Sequence, residues 1–121
     1  YMSLYKRWHL IGLELAVSVA SVGLRGEPTG FATGFRGDVV AIAKHDLAAG
    51  EILDGEGGYT VSGGLRPAAA SIEAGYLPLG LAHHVKLKNA IDDGAAITWD
   101  DVEIDETTTA YRLRRWMETN V

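Results

Sequence analysis

The sequence contains no cysteine. Disulfides and thiolate zinc sites are therefore excluded, and the redox compartment is left open. It also lacks a basic excess: the net charge is −5, the wrong sign for a chain that presents a basic face to nucleic acid. It has no apolar run long enough to span a bilayer, since the nearest approach, residues 4–25, is short and carries Glu14. Neither nucleic acid nor a membrane is therefore an expected partner. Sharp catalytic motifs are missing too. Gly55-Glu56-Gly57-Gly58-Tyr59-Thr60 fails the dinucleotide fingerprint at its last position and opens no helix. Gly75 and Gly80 stand at P-loop spacing, but Leu81 occupies the place of the phosphate-binding lysine. Thr60 replaces the first glycine of a nucleophile elbow around Ser62. No His-x-x-x-His pair occurs. Adjacent His83 and His84 point to opposite faces of an extended strand, which argues against a metal site from both unless the chain bends there.

What the sequence does contain is a repetition. Residues 41–54 read Ala-Ile-Ala-Lys-His-Asp-Leu-Ala-Ala-Gly-Glu-Ile-Leu-Asp; residues 85–98 read Val-Lys-Leu-Lys-Asn-Ala-Ile-Asp-Asp-Gly-Ala-Ala-Ile-Thr. A shift of 44 residues lays Leu47 on Ile91, Gly50 on Gly94 and Leu53 on Ile97. Each copy is a short alternating run, one aliphatic anchor, a glycine-closed turn and a second apolar run. Strand, turn, strand follows, with glycine supplying a backbone angle that other residues avoid. Two copies imply internal pseudo-two-fold similarity rather than a solenoid, which needs three or more repeats.

At 121 residues the chain has room for one domain with a modest core. Its 15 glycines exceed the usual roughly 7% and favour many turns and short strands. Leu10, Leu13, Val17, Ala20 and Leu24 recur at helical spacing and stop at Arg25-Gly26. A signal peptide is the other reading of this stretch, with Lys6-Arg7 as its basic region and Ser18-Val19-Ala20 as its cleavage site. Glu14 inside the apolar region argues against it. Residues 27–37 form a connector. Strands follow at residues 39–44, at Tyr59-Thr60-Val61 and at residues 83–88, with a turn at Gly63-Gly64 and one helical turn over residues 68–74. Trp99 to Asp105 closes the module with another alternation. A final helix starts at a threonine cap near Thr107 and carries an apolar stripe of Ala110, Leu113, Trp116 and Met117.

The alternating strand, the text Ala-Ala-Gly-Glu-Ile-Leu at residues 48–53 and the text Asp-Asp-Gly-Ala-Ala-Ile-Thr-Trp-Asp-Asp-Val at residues 92–102 resemble the SAF domain. This is a small β-clip module found in sialic acid synthases, in altronate and galactarate dehydratases and in the flagellar P-ring chaperone. Residues 53–61 and 77–83 are similar to the C-terminal part of NAD(P)-dependent oxidoreductases related to homoserine dehydrogenase. Those enzymes carry Tyr-x-Pro-aromatic-His-Leu with a glutamate five residues after the histidine. Here Tyr5, Trp8, His9, Leu10 and Glu14 match, while Arg7 replaces the proline.

The resemblance implies a mostly β fold: a β-clip over residues 38–105, preceded by helix and linker (1–37) and followed by a C-terminal helix (106–121). It implies a cytoplasmic parent enzyme using NAD or NADP, with no cofactor held by this region itself. His9 and Glu14 would come from the parent's catalytic region. The chain begins at Tyr1 rather than methionine, which fits an expectation of an upstream catalytic domain in the same parent, with domain packing, a homo-oligomer contact or a substrate-site lid as this region's role. The alternative is a free-standing SAF module that binds a sugar acid or serves as a periplasmic flagellar P-ring chaperone-like protein. From the residues alone, one cationic group stands out: His84, Lys86 and Lys88 on one strand face, with Arg66 near, suited to a carboxylate or phosphate. A solvated polar strand face is the plainer reading of the same residues.

Overall fold

The computed structural model describes residues 7–31 and 33–120. Tyr5 and Lys6 of the motifs above lie outside the described residues. The chain is a small mixed α/β protein with three α-helices and two antiparallel sheets among the described residues. It divides into two units, residues 1–33 and 34–121. The connector therefore splits: its last residues, from Gly34 on, belong with the β strands, and so does the C-terminal helix.

In the first unit, helix α1 (Ile11–Ala20) runs into a single π turn, Ser21–Arg25, closed by Gly26 at φ +69°. Glu14 reaches back one turn, and its Oε1 accepts a hydrogen bond from the Leu10 amide at 3.2 Å. Ser21 is buried and donates to the Glu27 carbonyl at 3.0 Å. The apolar side chains stay outside: Leu10 is 56% exposed, Leu13 69%, Val17 63% and Leu24 87%.

The second unit begins with β1 (Gly37–Ala43), a run of small and β-branched residues that fits a pleated, half-buried surface. It pairs antiparallel with β3 (Val61–Pro67), from Gly37 opposite Pro67 to Ala43 opposite Val61. Gly63-Gly64, expected to turn the chain, instead lies inside β3. The reason is steric: a Cβ on Gly63 would stand 2.8 Å from Val39 Cγ1, and one on Gly64 2.7 Å from Ile42 Cγ1. Bare backbone lets β1 side chains pass over β3.

The other edge of β1 is taken by two later segments. The Ala41 amide donates to the Leu77 carbonyl, the Ala43 amide to the Ala95 carbonyl, each at 2.9 Å. A second sheet joins β2 (Ile52–Asp54), β4 (His83–Leu87) and β5 (Val102–Glu103) in the order β2-β4-β5. β5 is preceded by a 3₁₀ turn, Trp99–Asp101, held by a capping box between Thr98 and Asp101. Only two residues of the expected alternating run are thus extended.

Leu47 and Ile91, both buried, join the two repeated segments by exchanging both backbone hydrogen bonds, 2.8 and 2.9 Å. Around this pair the bonds come in matched sets. The Gly50 amide donates to Leu87 O and the Gly94 amide to Ala43 O; the Leu87 amide donates to Glu51 O and the Ala43 amide to Ala95 O. Gly50 has φ +87° and Gly94 φ +74°. Leu53, Leu77, Leu87, Ile97, Val61 and Val102 fill the core beside Leu47.

Helix α2 (Ala68–Ala74) follows β3, and α3 (Thr109–Asn120) closes the chain. Thr108 caps α3, its Oγ1 accepting from the Tyr111 amide at 3.3 Å. The apolar stripe is not what attaches this helix: Leu113 and Trp116 are 60% and 58% exposed. The attachment is ionic. Arg114 donates from Nη1 to Asp38 Oδ1 at 3.0 Å and from Nη2 to Oδ2 at 2.6 Å. Ser71 on α2 adds a 2.6 Å hydrogen bond to the same carboxylate, and Glu118 receives the Arg114 Nε at 2.8 Å. Burial works to raise the Asp38 pKa, but the Arg114 and Ser71 hydrogen bonds outweigh it and hold the carboxyl below its ordinary value.

The packing generates three predictions. Leu47→Ala and Ile91→Ala should each cost roughly 2–5 kcal/mol in urea unfolding, as for other buried aliphatics. Gly50→Val and Gly94→Val should also destabilise, because valine at positive φ is strained. Arg114→Ala should cost about 3–5 kcal/mol by stranding the buried Asp38. The Asp38→Ala/Arg114→Ala double variant should cost clearly less than the sum of the singles; strict additivity would show that the pair is not coupled.

Candidate functional site

In the first unit, His9 Nδ1 lies 3.8 Å from Glu14 Oε2, and both side chains are solvent-accessible. The one-turn reach of Glu14 brings the two expected parent-enzyme residues together. Arg7 stacks on the Trp8 ring at 5.0 Å.

The expected cationic group is placed differently. Arg66 stands on β3, in the two-stranded sheet, with its Nη1 donating to the Leu65 carbonyl at 3.0 Å. Lys86 on β4 pairs across the ladder with Glu103 at 3.3 Å. Lys88 follows β4 and lines a depression of about 360 Å³ with Trp99, Tyr111 and Arg115. There Trp99 and Tyr111 meet edge-on at 5.5 Å, and the Arg115 guanidinium lies over the indole at 5.2 Å. Asp100, Glu103 and Glu106 line the same depression, so its walls are not cationic overall.

His84 departs from the strand path. It has φ +58°, the one positive value of a non-glycine among the described residues. A register shift between Leu53 and Asp54 on β2 accompanies it. The bend brings the His83 and His84 rings side by side, 4.3 Å between centroids, where a regular strand would point them apart. Both line a depression of about 280 Å³ with Gly80, Glu103, Asp105 and Thr108. Gly55, at φ +78°, leaves room for the His83 ring: a Cβ there would run into its Nδ1. Backbone strain of this kind marks places where the surroundings over-determine the chain. Among the described residues, no three His, Asp or Glu side chains are grouped to hold a metal ion.

A feature not expected from the sequence is the pinned glycine loop beside these histidines. Asp54 ends β2, and its Oδ1 accepts from the Thr60 hydroxyl at 2.5 Å and the Thr60 amide at 3.0 Å, while Oδ2 accepts from the Tyr59 amide. The Lys44 ammonium donates to the Gly58 carbonyl from the other side. A Cβ on Gly58 would collide with the Asp54 carboxylate. The Thr60 hydroxyl and the two amides lower the Asp54 pKa to about 2. The signal was present in the spacing Asp54-Gly-Glu-Gly-Gly-Tyr-Thr60, an aspartate at the mouth of a glycine loop. His45 lies against Tyr59 at 4.7 Å between ring centroids, and its buried Nε2 has no hydrogen-bond partner among the described residues.

No protein-family model matches the chain, and no curated protein matches it in sequence. No helix among the described residues is long and apolar enough to cross a membrane.

Acid stability reads the Asp54 pin directly. A carboxylate held below its unfolded value contributes fully above the ordinary aspartate pKa of 3.8, and the contribution is lost as pH falls through about 2. Asp38 and Asp101, also held low, act in the same direction. Melting temperature followed by circular dichroism should therefore fall from pH 4 toward pH 2, and the fall should be shallower in Asp54→Asn. Lys86→Ala, by contrast, removes an exposed ion pair and should change stability by less than about 1 kcal/mol.

Proposed function

We propose that residues 34–121 form a β-clip module of the SAF kind, built of two related halves, and that it is the C-terminal accessory region of a homoserine-dehydrogenase-like NAD(P) oxidoreductase. The observation that carries the fold part is the matched set of backbone bonds around Leu47 and Ile91. The bonds of Gly50, Gly94, Leu87 and Ala43 named above interchange on a shift of 44 residues. Chance similarity between two hairpins explains similar text but not bonds that interchange on the same shift.

The oxidoreductase part is supported by the motif around His9 and Glu14 and by the surface of α1. A helix apolar on all sides is ordinarily one that other protein covers. In the proposed parent, α1 delivers His9 and Glu14 to the catalytic region and joins it to the β-clip. The β-clip then serves packing, an oligomer contact or a lid, and the dinucleotide is held elsewhere, on a glycine-rich βαβ unit. A cytoplasmic location belongs with this reading.

The gene tests the proposal. Coding sequence upstream of Tyr1 should continue in frame into a βαβ unit with a Gly-x-Gly-x-x-Gly turn; a stop codon immediately upstream would overturn it. At the protein level, calorimetry of the 121-residue chain with NADH or NADPH should show no saturable micromolar heat. A saturable complex would place the cofactor on this chain and contradict the assignment.

A further inference from the structure

We infer that the outer edge of β3 pairs with β3 of a second copy of the chain, antiparallel about a two-fold axis at Gly64. The direction of the backbone groups is the starting point. On β1, the Ala41 and Ala43 amides go to Leu77 and Ala95, so Val40 and Ile42 are the residues that bond to β3. Their register partners are Gly64 and Ser62. In an antiparallel ladder the intervening residues then turn their amides and carbonyls the other way. On β3 those residues are Gly63 and Leu65.

Nothing among the described residues pairs with that outer edge. The sheet order is β1-β3, and the additional single bridges run from β1 and from loops, none from β3. Gly63 is exposed and Leu65 is 72% exposed. Edge strands are usually blunted by bulges, brevity or charge. β3 has seven residues, no acid, and two guards: Arg66, whose Nη1 takes one lone pair of the outward Leu65 carbonyl, and Pro67, which ends the strand beyond Gly63 and Leu65.

The pattern is self-complementary, and this selects a second copy as the occupant. About Gly64, Leu65 of each copy falls opposite Gly63 of the other, and the two residues exchange both backbone bonds. Gly63 cannot carry a side chain, because a Cβ would stand 2.8 Å from Val39 Cγ1 and 3.0 Å from Leu79 Cδ2. The partner's leucine therefore lies over bare backbone and beside Val39, itself 47% exposed. Arg66 falls opposite Ser62, so no like charges face each other. A two-fold contact of this kind closes on itself and does not propagate into a fibre. The inference specifies the oligomer contact named above but rests on strand geometry alone, so a monomer would leave the parent-enzyme reading standing.

The absence of cysteine makes the register testable. In Ser62→Cys/Arg66→Cys, the thiols face each other across the axis in non-hydrogen-bonded pairs, where side chains approach most closely. Within one strand they lie about 13 Å apart, too far to bridge. Mild oxidation of the double variant should give a covalent dimer, and each single variant should not. Sedimentation of the unmodified chain should show twice the monomer mass. Leu65→Pro removes an outward amide while sparing the bonds to β1 and should return a folded monomer; if it fails to fold, Leu65→Lys reads the same contact. Leu13→Glu, on the exposed helix α1, should leave the cross-link intact. A monomeric unmodified chain at high micromolar concentration, single variants that cross-link as well as the double, or loss of the cross-link in Leu13→Glu would each overturn the β3 contact.

Discussion

The second unit depends on one buried ion pair. Helix α3 turns Leu113 and Trp116 of its apolar stripe to solvent, and none of its residues is fully buried. What holds it is the two-pronged contact of Arg114 with Asp38, at 10% and 5% side-chain exposure. Desolvating two charges is expensive, and the cost is offset only when the remaining hydrogen-bonding capacity is also filled. Ser71 fills it on the carboxylate and Glu118 on the guanidinium, while the Phe35 ring lies 4.9 Å beneath the cation. The consequence is directional. An apolar contact tolerates sliding, whereas a bidentate pair fixes both the rotation of α3 and its height along β1. That rotation turns Leu113 and Trp116 outward and lays Tyr111 and Arg115 against Trp99. Tyr111 and Arg115 of α3 are part of the lining of the depression beside Lys88.

Local patterns were legible in the sequence because local physics decides them. The place of β4, the glycine turns at residues 50 and 94 and the threonine cap of α3 each depend on a few neighbouring residues, and each is where the spacing puts it. Gly63-Gly64 misled for an instructive reason. Two glycines read as a turn, yet their role is to let Val39, Leu79 and Ile42 approach the backbone, which is a property of residues distant in sequence. The Asp38–Arg114 pair spans 76 residues, and no periodicity relates its members. The cationic group around β4 failed to assemble for a third reason. Alternation assumes a regular strand, and His84 at φ +58° is where this strand stops being regular.

The candidate site also shows where the two repeated stretches of sequence part. A shift of 44 residues takes Asp54 onto Thr98. At Thr98 the chain makes a compact capping box, with Asp101 accepting from both the amide and the hydroxyl of Thr98. At Asp54 the roles are exchanged: the carboxylate comes first and the threonine, Thr60, follows across a glycine loop. Both solve the same problem, a chain leaving its strand with unpaired amides. The longer solution places Gly55 against His83 and Tyr59 against His45. The longer loop thus brings residues of the first copy against a histidine that precedes the second.

The two units differ in how far each can stand by itself. The second has a continuous core from Ala41 to Val102 and satisfies its ends with caps and ion pairs. The first has a helix of ten residues and one π turn, a length at which an isolated helix is marginal in water. Its anchors are local: Glu14 on the Leu10 amide, Ser21 on the Glu27 carbonyl. Each is worth on the order of 1 kcal/mol, less than the ordering of several backbone residues costs. The apolar side chains of α1, left more than half exposed, are therefore not covered by the residues of their own unit. This asymmetry, a self-sufficient β unit joined to a helix that needs covering, is the physical ground for reading α1 as a docking element.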